Sequence, residues 1–531
     1  MQPTNKYHRI TLSLISTVIF AILAHSYRFY NNMFSGDSLM NIYQDDSAWQ
    51  IALGRIGQPV YLMFRGSLCN PWLISFLAII FTGLAVYITA EILDIRRPLM
   101  IVLISGLYEC NIAVTCQNAT YLPWVDIYAL ALLTAVLGIY LVKLTIISAH
   151  KRVYNVLLLF AAAFSLAISL SLYQAYICVA ISLVMIVVML DLQTEGSPYK
   201  RLITNLLSYC LIMLAAAAIY YITWKCLQRA LNIWTADGYN GLASVGDYSG
   251  TSIGGLIALT YRKVLEYYSN PEVFTSLVFR NMSLSILWVW LIRVANVLAI
   301  VSVIYGYVSI NRRNKTGIAS RIMQLVILLL LPIGLNFICI ISKGMVHSLM
   351  VYSYIMFYIL AIKLMDSAGN SNDIRQMTHS VRGIIESAVV ILFAGIFIWN
   401  NIVYANQVYL KKALQDQAAS ALMNRIVEDI EAMNDYVPGV TPVAIEGRFD
   451  MTDYISDIPG MENIRPYGMG ETALLYPGTD YAYINYELSV AMNLTRLTDE
   501  QIALTADMPS YPANGSIEYV DGIVVVKVSE N

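Results

Sequence analysis

About eleven runs of roughly twenty mainly apolar residues punctuate this chain, near 10–27, 71–92, 98–117, 121–142, 153–171, 174–191, 202–224, 284–308, 320–341, 345–365 and 384–403. About twenty residues of helix cross the ~30 Å hydrocarbon layer of a bilayer. Within lipid each backbone N–H and C=O must find its partner inside the protein, which favours helices. The expected fold is an all-α polytopic membrane protein with about eleven transmembrane helices. The chain is 58% hydrophobic and 13% charged, against about 25% charged in soluble domains, so a freely soluble enzyme is excluded. The first run follows Lys6 and Arg9 and precedes no small-residue cleavage site, so it reads as an uncleaved signal anchor.

Lys and Arg favour the cytoplasmic side of short loops. An N-terminus in the cytoplasm puts Lys6/Arg9, Arg96/Arg97, Lys143/Lys151/Arg152, Lys200/Arg201, Arg312/Arg313/Lys315/Arg321 and Lys363/Arg375/Arg382 together on that side. An odd number of spans sends the C-terminus outside, with the segments 28–70 and 225–282. The expected division is a multi-span domain, 1–403, and a soluble extracytoplasmic α/β domain, 404–531, in a protein of the cell membrane. From Tyr404 onward 19 Asp and Glu face 7 Lys and Arg, a charge of −12 that leaves the rest at +10. The tail reads as a helix over Asn406 to Ala432, a strand over Pro442 to Glu446, and a final hairpin turning at Asp521-Gly522.

Several functions fall away. The cytoplasmic loops are short and hold neither GxxxxGK[ST] nor GxGxxG, which disfavours ATP-driven transport and direct use of nucleotide sugars. No basic tract points to nucleic acid. None of the seven cysteines lies in the tail and no CxxC occurs, so neither a disulfide framework nor a zinc site is expected.

Charge is densest in the first outer loop, RFYNNMFSGDSLMNIYQDDSAWQIALGRIGQPVYLMFRG, which holds Asp37, Asp45, Asp46, Arg28, Arg55 and Arg65. A carboxylate shielded at a membrane surface can serve as a general base, and a guanidinium can pair with phosphate. Trp49, Ala52, Leu53 and Ile56 recur at helical spacing, predicting an amphipathic helix lying in the interface just after the acidic pair. An equally weighted structural reading makes Asp45 and Asp46 an N-cap and a first-turn acid, and Asp37 a turn residue.

The order FSGDSL, acidic pair, WQIALGRIGQPVY on the first outer loop resembles the bacterial membrane glucosyltransferases of the Gtr type II kind. LYQAYICVAISL, ANQVYLKKALQDQAASALMNRIVEDIE and TPVAIEG extend the resemblance along the chain. The resemblance implies a C-type glycosyltransferase that moves a sugar, a glucose above all, from a polyprenyl-phosphate donor to an O-antigen-like glycan or cell-wall polymer. It implies inversion at the anomeric carbon and partners drawn from lipid-linked donor, glycan acceptor and membrane lipid. It places the acceptor-activating acid on Asp37 or on the Asp45/Asp46 pair without choosing, and donor-phosphate binding on Arg55.

Further residues fit that chemistry. Lys343 and His347 stand four apart beside an expected outer turn and are weighed as phosphate ligands against interfacial anchors. Arg293 is weighed for donor contact against snorkelling or pairing with Glu109 or Asp126. Asp237 and Asp247 lie in a Gly-, Ser- and Tyr-rich stretch that suits an acceptor loop. No cofactor is certain, although Asp37, Asp45 and Asp46 could hold Mg²⁺ or Mn²⁺. The main alternative is a secondary transporter or flippase of lipid-linked saccharide. Such proteins show repeats and broken helices, whereas this chain has no internal repeat and Pro332 and Gly334 are its only clear mid-span breakers. A polymerase or ligase on the same donors, and a receptor anchored by its spans, are weaker rivals.

Overall fold

The computed structural model describes residues 6–32, 35, 38–39, 46–67, 69–147, 152–194, 199–236, 252–269, 273–274, 279–280, 286–368, 381–449 and 479–529. Its helices are α1 (Lys6–Tyr30), α2 (Ser47–Ala52), α3 (Gly57–Arg65), α4 (Pro71–Leu93), α5 (Pro98–Glu109), α6 (Ile112–Thr120), α7 (Val125–Ile147), α8 (Arg152–Leu172) and α9 (Ile177–Asp191). They continue as α10 (Tyr199–Ala230), α11 (Ile253–Ser269), α12 (Ile286–Arg313), α13 (Ile318–Leu335), α14 (Phe337–Ile341), α15 (Ile355–Ala368) and α16 (Val381–Glu431). A two-residue antiparallel pair, β1 (Val273–Phe274) and β2 (Phe279–Arg280), follows α11.

Among the described residues ten helical segments are long and apolar enough to cross a membrane, and α5 with α6 makes an eleventh, bent by 42°. The polytopic all-α architecture is as expected. The break within the third span is not: neither Pro nor Gly marks it. Cys110 and Asn111 leave helical geometry there, and the Asn111 side chain closes both ends. Its amide donates to the Leu107 and Tyr108 carbonyls at 3.1 and 2.9 Å, and its Oδ1 caps the N–H groups of Ala113 and Val114. Pro332, by contrast, stays inside α13, which ends three residues later.

Local signals explain other ends. α4 opens on Asn70-Pro71 and stops where Asp94 turns left-handed (φ 50°), and α5 opens on Pro98, so a four-residue link joins antiparallel neighbours. On this face basic side chains meet helix ends. Arg9 pairs with Glu91 at 2.9 Å, Arg97 pairs with Asp366, and Lys143 and Lys363 donate to the Ile92 and Asp94 carbonyls. Cations there complement helix dipoles.

α16 is one continuous helix of 51 residues, so the expected boundary at 403/404 falls inside it. Its far half packs Leu422, Met423, Ile426 and Ile430 against a small sheet. That sheet has the order β4-β3-β6-β5, with β3 (Pro442–Glu446), β4 (Asn493–Leu494), β5 (Ile517–Val520) and β6 (Ile523–Lys527). β3 runs parallel to β4 and β6, while β5 and β6 form the hairpin expected at Asp521-Gly522, both at positive φ.

Candidate active site

The first long loop does not lie free on the membrane. Ile51, Ala52, Leu53 and Ile56 are buried, and they pack against Trp224 and Leu227 of α10 and against Ile233 and Ala236 beyond it. The predicted interfacial helix is therefore corrected: its apolar side docks on protein, because α10 offers an aromatic wall at that height. Membrane-directed apolar groups belong instead to α3, whose Met63 and Phe64 are 83% and 87% exposed.

Hydrogen bonds bolt the loop backbone in place. Trp224 Nε1 donates to the Ile51 carbonyl at 2.7 Å, Tyr220 Oη to that of Gly54 at 2.8 Å, and Gln174 Nε2 to that of Leu53 at 3.2 Å. Gln58 Nε2 reaches the Leu172 carbonyl at 2.8 Å. The Leu172–Leu183 stretch thus meets the first loop in space. Gly54 sits at φ 79°, and a Cβ there would stand 2.4 Å from Tyr220 Oη, so both backbone and space call for glycine.

Arg55 follows immediately, half-buried, with its guanidinium 5.4 Å from the Tyr173 ring centroid. Its charge is felt at Tyr128, Tyr220 and His347. His347 stacks edge-on with Tyr121, ring centroids 6.0 Å apart. Its Nδ1 accepts the Leu349 N–H at 3.3 Å, which leaves the proton on Nε2. Burial first, then the Arg55 charge, push its pKa down to about 4, so this ring is neutral at pH 7 and acts as a donor rather than a cation.

Two of the sequence-predicted phosphate ligands, Arg55 and His347, are thus brought near enough for one charge to act on the other across nearly 300 residues of chain. Lys343 lies in the turn before His347 at φ 52°, where Gly344 abuts Leu259 of α11. Arg293 sits elsewhere, 5.3 Å from the Trp290 ring on α12. Asp126 is not its partner: Arg65 Nε meets Asp126 at 3.2 Å, both side chains buried, and Tyr61 Oη donates to the same carboxylate at 2.9 Å.

Asp46 occupies the N-cap position of α2 but its side chain makes no capping bond. Its Oδ2 accepts from Gln50 Nε2 at 2.5 Å. Asp37, Asp45, Asp237 and Asp247 lie outside the described residues. Among the described residues no group of three or more His, Cys, Asp or Glu converges as a metal set would.

Sequence reading missed a second buried polar group below the loop. Arg28 is fully buried and donates to the Asn118 and Asn31 carbonyls at 2.7 and 2.6 Å. Asp416 is its charge neighbour, and Lys412 is buried one helical turn from Asp416 on α16. His25 bridges Tyr409 Oη (2.7 Å) and the Glu109 carbonyl (3.1 Å). The i, i+4 pair Lys412/Asp416 reads in sequence as a solvated helix face; only the fold brings α1 against it. Glu109 itself lines a narrow cavity with Ser75, Thr82, Gln117 and Asn118.

A bundle of apolar helices roofed by a docked, charge-bearing loop is a multi-pass membrane protein whose polar chemistry is gathered at one face. The chain belongs to the glucosyl transferase GtrII family, whose family model matches residues 26–362. That makes it a glycosyltransferase. The match spans Arg28 through His347 and ends before α16 and the sheet, so the ANQVYLKKAL and TPVAIEG stretches lie beyond it. No curated protein and no solved structure matches the chain.

Proposed function

We propose that the protein transfers glucose from a polyprenyl-phosphate donor to a cell-envelope glycan at the extracytoplasmic face, with inversion. The observation that carries this reading is that the fold brings Arg55 of the first loop, beside Tyr173, into the charge neighbourhood of His347, beside Tyr121. The Lys/Arg asymmetry supports the assignment of that face to the outside.

The donor's tail stays in hydrocarbon while its phosphosugar head rises to the first loop. One of Asp37, Asp45 or Asp46 takes the acceptor hydroxyl proton as that oxygen attacks the anomeric carbon. The bond from that carbon to the phosphate oxygen breaks, and the electron pair leaves with the polyprenyl phosphate. Arg55 meets the charge that develops there, and His347 Nε2–H donates to a phosphate oxygen. The proton held by the aspartate then passes to water. One displacement gives one inversion.

The broken span is the feature that would favour a transporter, since free helix ends in a membrane can bind substrate. Here those ends are already taken. Asn111 serves both halves, Tyr352 Oη donates to the Tyr108 carbonyl at 2.7 Å, and His25 donates to that of Glu109. The test is sugar transfer from polyprenyl-phosphate glucose in proteoliposomes by Asp37→Asn, Asp45→Asn and Asp46→Asn, with the product anomer assigned by NMR. One variant should be inactive and the wild-type product inverted. Full activity in all three, or a retained anomer, contradicts the reading.

A further inference from the structure

α10 is unusually bare for a span, with only 17% of its apolar stretch buried inside the protein. Leu207, Leu211, Leu214 and Ile222 project from it into lipid. At its loop-face end a cleft of about 680 Å³ opens, walled by Tyr221, Ile222, Lys225, Arg229 and Trp234. Lys225 Nζ is held 4.2 Å from the Trp224 ring centroid and donates to Gln228 Oε1 at 3.0 Å and Thr235 Oγ1 at 3.2 Å. Gln228 Nε2 in turn donates to the Trp234 carbonyl at 3.0 Å, which braces the cleft's rim. Arg229 stands one helical turn from Lys225, on the same side of the helix.

Trp224 ties the cleft to the first loop. One side lies under Lys225; its Nε1 holds the first loop at Ile51, and its ring stacks on Tyr220, whose hydroxyl holds Gly54 beside Arg55. Lys225 of the cleft is thus linked to the loop beside Arg55 through the Trp224–Tyr220 stack and Gly54.

We propose that this cleft is the lateral docking port for the phosphate end of the polyprenyl-phosphate donor, which reaches it from the membrane before moving to Arg55. The inference rests on the donor assigned under Proposed function. The cleft's chemistry matches such an amphiphile. Two cations one turn apart face a phosphate, Tyr221 and Trp234 stand where interfacial aromatics sit, and the bare leucines of α10 offer the long tail an apolar track. The link to Arg55 through Trp224 and Tyr220 commits the port to donor rather than to bulk phospholipid.

The test uses full-length protein in nanodiscs of neutral lipid. Bound undecaprenyl phosphate is counted by native mass spectrometry, and transfer from polyprenyl-phosphate glucose is measured in parallel. Lys225→Glu/Arg229→Glu should weaken undecaprenyl phosphate binding and raise the donor KM about tenfold, with a much smaller change in kcat. Because Lys225 also braces the rim, Arg229→Glu alone serves as the fold-safe variant and should show part of the same KM shift. Phosphatidylglycerol in excess should not displace undecaprenyl phosphate from the wild type. Unchanged binding and KM in both variants would overturn the port while leaving the donor reading intact, and equal displacement by phosphatidylglycerol would make the cleft a general anionic-lipid site. A wild type that neither binds undecaprenyl phosphate nor consumes the donor would overturn both.

Discussion

The two membrane faces bury the same residue type to different depths. On the face of the short loops, Arg96 sits at the rim, pairing with Asp94 at 2.7 Å while both side chains remain 58% exposed, whereas the buried Arg97 and Lys363 end on Asp366 and on the Asp94 carbonyl. On the face of the first loop, Arg28, Arg65 and Lys412 are withdrawn from solvent altogether. Rim cations need little help, because water and headgroups solvate them. Buried cations carry a large desolvation cost that only close partners offset. The first-loop face therefore depends on its close acid partners, as Arg65 depends on Asp126, in a way that the rim pair Arg96–Asp94 does not.

The contrast can be broken by substitution. Asp126→Asn leaves Arg65 buried without its counterion and should cost about 3–5 kcal/mol of stability, read as thermal inactivation in detergent, whereas Arg96→Ala on the opposite face should cost under about 1 kcal/mol. Similar losses in the two would erase the distinction. Arg55→Ala should lower transfer about 100-fold or more at unchanged thermal stability. Gly54→Ala forces a side chain into positive φ against Tyr220 and should cost about 1–2 kcal/mol, with Tyr220→Phe relieving part of the clash in the double variant.

The smallest effect is a pH slope. His347 is neutral in the folded protein down to about 4, against its ordinary 6.5. As pH falls from 6.5 towards 4 the unfolded chain binds a proton that the folded one refuses, so stability declines across that window. His347→Gln should flatten that part of the profile, and an unchanged profile would contradict the burial assigned to this ring.

Much of the fold is legible in the chain because a span is a local fact: hydropathy and length suffice for the helices, and Asp-Gly for the last hairpin. The 110–111 break escaped because its cause is the Asn111 side chain reaching both ways along the backbone, which no breaker residue advertises. The site was legible in part. Arg55 and His347 each carried a chemical signal alone, but their proximity depends on Gln174, Tyr220 and Trp224 clamping the first loop. Within the Trp49–Ile56 stripe, Ala52, Leu53 and Ile56 dock on protein rather than lipid while Trp49 stays exposed, since periodicity shows that a face is apolar without showing against what it packs. The Arg65–Asp126 pair joins a loop to the start of a span, and Arg28 meets a helix nearly 400 residues later; neither leaves a pattern in sequence.

The central claim is that Arg55, at the first-loop face, serves a lipid-phosphate leaving group. Its most direct measurement is the release of polyprenyl phosphate from polyprenyl-phosphate glucose by wild-type protein and Arg55→Ala in proteoliposomes supplied with a cell-envelope glycan extract. The account predicts donor-dependent release by the wild type and a loss of about 100-fold in the variant. Equal release by the two proteins would contradict it.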